Sequence, residues 1–291
     1  MIKNKAKKTY LHVYVNYESG GGTWNSIDKS IGVGGWGLTM QGNFDNFKVS
    51  MDAYNNRFFG LTDKPNDFSN EQGLSWVGND PGGEAFDFDV SNMKLSYKYE
   101  SIIFEFGKFS RHWGPGNSSL IISKKPPSYP QFGFTWNINP ELDFEYFHGS
   151  LRSLQIDESN AGVYDNIGAE LPEFNRFIAA HRINWKASNR LNIGASELVV
   201  YGVREIDLIY LMPFAPFLSL QQYSGDLDNI QWALDIDWKK SNNFNYNLSD
   251  SNELFSIEDD VILYGSSFID HKYFLPYLVG YFQDNHNISV F

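Results

Sequence analysis

The chain contains no cysteine. That removes disulfide scaffolds and thiolate metal sites, and it is compatible both with the cytoplasm and with a bacterial envelope. Basic residues are scarce as well: 23 Lys and Arg against 35 Asp and Glu give a formal net charge of −12. No basic stripe of the kind that nucleic acid requires is present. A membrane-crossing helix needs about 18 consecutive apolar residues, and the longest apolar run, 208–218, carries Pro213 and Pro216. There is no Pro/Ser-rich linker, no sustained low-complexity tract and no solenoid or propeller period, so the chain reads as one domain over 1–291. Apolar residues at 42 % exclude a disordered chain, and 25 Gly without a repeat exclude a collagen-like one.

What is abundant is aromatic: 24 Phe, 17 Tyr and 8 Trp make up 17 % of the 291 residues. Many of them fall in stretches that alternate with period 2, the pattern of a strand with one apolar face. In 229–239, Ile230, Trp232, Leu234, Ile236 and Trp238 oppose Gln231, Asp235, Asp237 and Lys239. The same alternation runs through 47–54, 92–99 and 176–186, and a slip of one residue would invert both faces. About thirteen strands are predicted, at 9–17, 30–42, 47–57, 88–99, 102–110, 131–136, 141–150, 175–186, 191–202, 229–239, 244–248, 261–269 and 274–283. Most have nine or more residues, the length that a tilted strand needs to cross a bilayer.

The connections alternate too. Short turns at 43–46, 100–101, 137–140, 187–190 and 240–243 lie between long segments at 58–87, 111–130, 151–174, 203–228 and 249–260. Outer-membrane barrels sort their loops in this way, with short turns periplasmic and long loops extracellular. A soluble β-sandwich shares the alternation but has no reason to sort its loops. Part of one long segment, 204–218, has a polar start and an apolar continuation, and it reads as a short helical loop that caps the barrel or enters its lumen.

Few motifs carry chemistry. Gly32-Val33-Gly34-Gly35-Trp36-Gly37 matches a dinucleotide-binding string, but it sits inside a strand rather than between a strand and a helix, where glycine marks close backbone approach. Hydrolase, phosphate-loop and zinc-protease strings are absent, the six histidines are scattered, and Asp226-Leu227-Asp228-Asn229 lacks the glycine and bidentate glutamate of an EF-hand. The sequons at Asn117, Asn247 and Asn287 matter only in a eukaryotic secretory setting. Glu105, Asp143, Glu145, Glu197, Asp235 and Asp237 are expected to face the lumen with Lys94, Lys98 and Arg182, as opposed charges across a barrel or, less simply, as a catalytic carboxylate pair. The loop around Trp113-Gly114-Pro115-Gly116 is expected to hold Arg111, His112 and Trp113 in a rigid, exposed turn. An exposed ring beside polar groups suits a sugar, so Trp76, Arg111, His112, Trp113, Asn117, Lys124 and Lys125 form the candidate polysaccharide contacts. A turn with Trp113 packed inward is the structural alternative.

Several segments together resemble a known family. They are Gly107-Lys108, Trp113-Gly114-Pro115-Gly116, Leu120-Ile121-Ile122-Ser123, Arg176-Phe177-Ile178-Ala179-Ala180-His181-Arg182, Ser196-Glu197 with Tyr201-Gly202, and Tyr210-Leu211-Met212-Pro213. Gly225-Asp226 with Asp228-Asn229, and Tyr264-Gly265 with Ile269-Asp270, complete the series. In order and spacing, over roughly residues 35–270, they resemble the Wzi-like capsule-assembly family. The resemblance implies an outer-membrane β-barrel lectin that holds exported capsular polysaccharide at the cell surface and catalyses no reaction. His271 stands where an acidic residue is common in that family. The basic residues of 1–8 run into an alternating strand with no apolar signal-peptide core, so the true start is expected upstream. An odd strand count also points to an incomplete barrel.

The expectation is therefore an all-β, antiparallel transmembrane β-barrel, truncated at one or both ends, with a short helical loop segment. It is placed in the bacterial outer membrane as a monomeric barrel with capsular or exopolysaccharide and membrane lipid as partners, and with no nucleic acid, cofactor or metal. The lumen-facing polar residues are taken to be Glu105, Arg182, Glu197 and Asp235. The rivals are a porin-like channel for sugars or ions and an envelope enzyme using Glu105 or Glu197 as acid or base.

Overall fold

The computed structural model describes residues 9–24, 29–60, 76–79, 85–114, 121–124, 126–153, 155–159, 172–223, 225, 228–239, 260–270, 273–284 and 287–290. Among them the alternating stretches are strands: β1 (Tyr10–Trp24), β2 (Lys29–Phe44), β3 (Phe47–Phe59), β4 (Trp76–Asn79), β5 (Ala85–Tyr99), β6 (Ile102–Phe109) and β7 (Tyr129–Asn139). They continue as β8 (Leu142–Leu151), β9 (Arg176–Ser188), β10 (Leu191–Gly202), β11 (Asn229–Lys239), β12 (Asp260–Asp270), β13 (Tyr273–Asp284) and β14 (Asn287–Val290). The predicted strand at 244–248 lies outside the described residues. β4 and β14 were not expected, and β4 converts part of the long segment 58–87 into sheet.

The chain divides into two compact units, residues 1–112 with 122–134 and residues 113–121 with 135–291, so β7 contributes to both. In the first unit β1, β2, β3, β5 and β6 pair successively and antiparallel. β4 pairs with Phe86 to Asp89 of β5, beyond Met93 where β6 stops. In the second unit β8 to β14 pair in chain order, again antiparallel. Asp45-Asn46, Glu100-Ser101, Pro140-Glu141 and Asn189-Arg190 form the short turns. Asp45 and Glu100 take φ of 55° and 50°, the left-handed backbone that tight hairpins need to match strand twist.

Register decides the faces. Val13, Met40, Met51 and Met93 stand opposite one another across four strands and mark the apolar face of the first unit. Leu11, Val15, Trp36, Phe47, Tyr97, Phe104 and Phe106 lie on that same face, and all are exposed. The opposite face is polar: the Asn16 amide donates to Thr39 Oγ1 at 2.7 Å, and Thr39 and Tyr54 share a hydrogen bond of 3.1 Å. In the second unit Ile183 and Leu234, both opposite Ala195, are exposed with Trp185 on one face. Arg182, Ser196 and Asp235 are buried on the other. Large apolar side chains outside and hydrogen-bonded polar ones inside invert a soluble sandwich. With strands of ten residues or more through most of the sheet, these are the properties of a transmembrane β-barrel wall.

Gly35 and Gly37 sit inside β2, where a Cβ would strike the Asn56 side chain and the Tyr54 ring respectively. The glycine string therefore serves close strand packing, as its position in a strand predicts. The helical loop differs from expectation: a 3-10 turn covers Leu208–Leu211, and the helix α1 spans Phe217–Tyr223. Pro216 supplies the carbonyl for Leu220 N–H, and the helix begins after it because proline fits a helix start and breaks an interior.

Candidate functional site

On the polar face of the second unit, alternation and register gather the charged side chains of β8 to β11 around Arg182. Its Nη1 donates to Ser196 Oγ, its register partner, at 3.0 Å. Its Nη2 donates to Asp235 Oδ2 at 2.6 Å, and its Nε donates to the side-chain oxygen Oδ1 of Asn184. Gly194 makes room for this geometry, since a Cβ there would meet both the guanidinium and the Asp235 carboxylate. The Asn184 amide donates in turn to Asp143 at 2.8 Å and to Glu145 at 3.2 Å. Asn192 donates to Asp237 at 3.1 Å. Asp143, Glu145, Asp235 and Asp237 outnumber the two cations of this face, Arg182 and Lys186, four to two.

The loop residue Trp113 joins the same network. Its indole N–H donates to Glu145 Oε2 at 2.9 Å, and its ring meets Phe147 edge-on at 5.3 Å. Only 3 % of Trp113 is exposed, which corrects the expectation of a displayed aromatic platform. A buried indole needs both an apolar bed and an acceptor, and β8 offers the two on one face. Gly114, at φ 93°, turns the chain away immediately afterwards.

Arg111 is buried too, within the first unit, and is not a surface cation. Its Nη2 donates to Glu105 Oε2 at 2.8 Å and its Nε to Gln131 Oε1 at 2.9 Å, while Lys94 also pairs with Glu105. Gln131 passes a hydrogen bond to the Phe109 carbonyl at 2.6 Å, and Lys94 and Arg111 lie over the Phe109 ring. Glu105 stands on the polar face of β6, held by two cations. Of the remaining predicted polysaccharide contacts, His112 is half-buried and Lys124 is exposed. Asn117 and Lys125 lie outside the described residues, as does the side chain of Trp76, whose backbone opens β4.

Glu197 is the second correction. It pairs in register with Trp232 and His181, so it shares the face of Leu191 and Ile193 and points away from Arg182 and Asp235. A carboxylate on an apolar face needs local partners, and the segment 203–223 brings them. Phe217 N–H and Leu218 N–H, at the start of α1, donate to it at 2.9 and 3.1 Å. Trp232 Nε1 donates at 2.8 Å, and His181 Nε2 lies 3.0 Å away.

Around it, Tyr146 donates to the Tyr210 carbonyl at 2.8 Å, and His148 bonds Tyr201 at 2.7 Å. Tyr210 donates to Asp228 at 2.6 Å, and Arg204 grips the same carboxylate at 2.8 and 2.6 Å. The Asp228 carboxylate holds the Arg204 guanidinium above its ordinary pKa. Two cations engage the Glu105 carboxylate, and N–H groups engage that of Glu197. Sequence reasoning gives Asn184 and Gly194 no role in a site, reads Ser196, Tyr201 and Tyr210 only as parts of a resemblance, and weighs Asp228 besides only as a cation ligand. Pairing by register relates Asn184, Gly194 and Ser196, whereas Tyr210 and Asp228 meet through a connection between strands.

No protein-family model matches the chain, and no curated protein does either. Among solved structures it is similar to OccAB3 of Acinetobacter baumannii, at 13 % identity and a TM-score of 0.40, over 94 % of this chain and 60 % of that one. It is similar to OccK7 (OpdD) of Pseudomonas aeruginosa at 9 % identity and a TM-score of 0.39, over 94 % and 61 %. OccK8 (OprE) of Pseudomonas aeruginosa follows at 10 % identity and a TM-score of 0.26, over 94 % and 87 %. The chain spans about three-fifths of the length of the first two.

Proposed function

We propose that the chain forms wall of a bacterial outer-membrane β-barrel that acts as a porin-like passage for small polar solutes and favours cations. The observation that carries this reading is the polar face of β8 to β11, which gathers four carboxylates, one bonded to Arg182 and two linked to it through Asn184, opposite an exposed apolar face. Facing a water-filled lumen, such a wall offers fixed charge and hydrogen-bonding groups to passing solutes, while the apolar face meets lipid. Charges held rigidly by mutual hydrogen bonds need no rearrangement to act on a passing ion.

The test is single-channel conductance of the full-length protein in planar bilayers under a salt gradient. The expected result is a conducting pore with cation preference, shifted toward anions in an Asp143→Asn, Asp237→Asn double variant. A correctly inserted protein that never conducts overturns the reading.

A second reading, retention of capsular polysaccharide, is supported by the Trp-Gly-Pro-Gly and Arg-Phe-x-Ala-x-His-Arg resemblance. Its contacts would lie at exposed loop positions such as Lys124 rather than at Trp113. Deleting the gene and comparing cell-bound with shed polymer tests it. Polymer moving into the medium at constant total supports retention, and an unchanged partition rejects it.

A further inference from the structure

Segment 203–223 leaves the end of β10 and folds back over the sheet face that carries Ile183, Trp185 and Leu234. Its inner side is polar at chosen points and otherwise tightly packed. Tyr210 and Phe217 are fully buried, α1 donates its first N–H groups to Glu197, and Phe214 lies against Phe144 and Trp136 at ring distances of 4.9 and 6.3 Å. Glu197 is five residues down β10 from Gly202, which places the helix start roughly 17 Å along the strand from its end.

The outer side of the segment is unlike that of an ordinary surface loop. Val203 is 74 % exposed, Leu208 73 %, Phe214 64 % and Tyr223 87 %, and Ile206 and Met212 are exposed as well. Of its charged residues, Arg204 pairs with both Asp207 and Asp228, and only Glu205, next to the end of β10, is exposed. The segment thus covers the polar groups His181 and Glu197 on the apolar face and replaces them with apolar side chains of its own. Phe214 stacks on Phe144, which it buries, and is itself exposed, so the segment's surface continues that of the strands.

We infer that segment 203–223 is part of the barrel's lipid-facing wall, seated against the acyl chains of the outer leaflet and shielding the Glu197–His181 pair from them. The inference rests on the membrane-barrel reading above. An extracellular position follows from the opposite rim carrying the short turns. Continuity with the exposed apolar face selects lipid as the occupant. A polar carboxylate facing hydrocarbon would be costly, and a cover that satisfies it while presenting apolar groups outward removes that cost.

These 291 residues contain no cysteine, so labels can be placed at single introduced positions. Spin labels are attached to Leu208→Cys and Phe214→Cys in the full-length protein reconstituted in lipid vesicles. Ile183→Cys and Leu234→Cys report on the strand face, and Lys124→Cys serves as the aqueous reference. Collision with oxygen, which partitions into lipid, is compared with collision with a water-soluble nickel chelate. The expected result is an oxygen-over-nickel preference at 208 and 214 matching that at 183 and 234. Labels at 208 and 214 that meet the nickel chelate, or that are shielded from both reagents by a second copy, overturn the inference while 183 and 234 remain in lipid. Nickel access at 183 and 234 as well would instead sink the barrel reading itself.

Discussion

Arg182 and Glu197 stand on adjacent strands one register step apart, and both are buried and fully engaged, yet they belong to opposite faces of the sheet. The partners of Arg182 all come from the strands themselves: Ser196 on β10, Asp235 on β11 and Asn184 on β9. Forming the sheet in register is enough to assemble that cluster. Glu197 takes two of its donors from α1, which belongs to a connection and not to a strand. The lesson is that one buried charge is as secure as the sheet, whereas the other is secure only while segment 203–223 stays docked. Loss of the first is expected to lower the stability of the whole sheet against unfolding, and loss of the second to release a local element.

Substitutions separate the two. Arg182→Met leaves Asp235 buried without its guanidinium, and the largest effect is expected here, about 3–5 kcal/mol in urea unfolding of the folded barrel. Limited proteolysis within 203–223 should stay unchanged in that variant until the sheet itself unfolds. Glu197→Gln removes the charge and leaves donors on α1, Trp232 and His181 sharing one amide oxygen, at an expected cost of about 1–3 kcal/mol. In that variant, cleavage within 203–223 should rise before global unfolding does. Equal protection of the segment in Glu197→Gln and the parent would break the comparison. Trp232→Phe deletes a single N–H donor while keeping an aromatic ring on the apolar face, and about 1 kcal/mol is expected, read from the same pair of measurements.

How much of this was legible follows from which physics each feature uses. Strand alternation is written in the sequence, so β3, β9, β10 and β11 fall within a residue or two of their predicted bounds. The polar positions of Arg182 and Asp235 follow from the same period. The placement of Glu197 was equally readable, because Leu191, Ile193, Ala195 and Glu197 alternate along β10 with Asn192, Gly194 and Ser196. Treating it as a charge first and a strand position second assigned it to the wrong face. Trp113 is different. Its burial depends on Glu145, 32 residues away, and nothing local to the Trp-Gly-Pro-Gly loop announces an acceptor at that distance. The course of 203–223 was hidden for the same reason, since its docking relies on non-local donors and acceptors that only the folded sheet aligns.

Tyr210→Phe is the smallest and most selective way to sharpen the comparison. The ring is fully buried, and Phe preserves its packing against Tyr201 and Phe217. The hydrogen bond from Tyr146 ends on the Tyr210 backbone carbonyl and survives the change. Only the hydroxyl donation to Asp228 is lost, and that carboxylate keeps both bonds from Arg204. An acceptor that remains satisfied makes the loss of one donor mild, so an effect near the lower end of about 0.5–1.5 kcal/mol is expected. It should appear as faster cleavage within 203–223, with the urea midpoint of the sheet unmoved. A shift of that midpoint as large as the one from Arg182→Met would mean that the segment and the sheet unfold as one unit, and the two buried charges would then be equally secure.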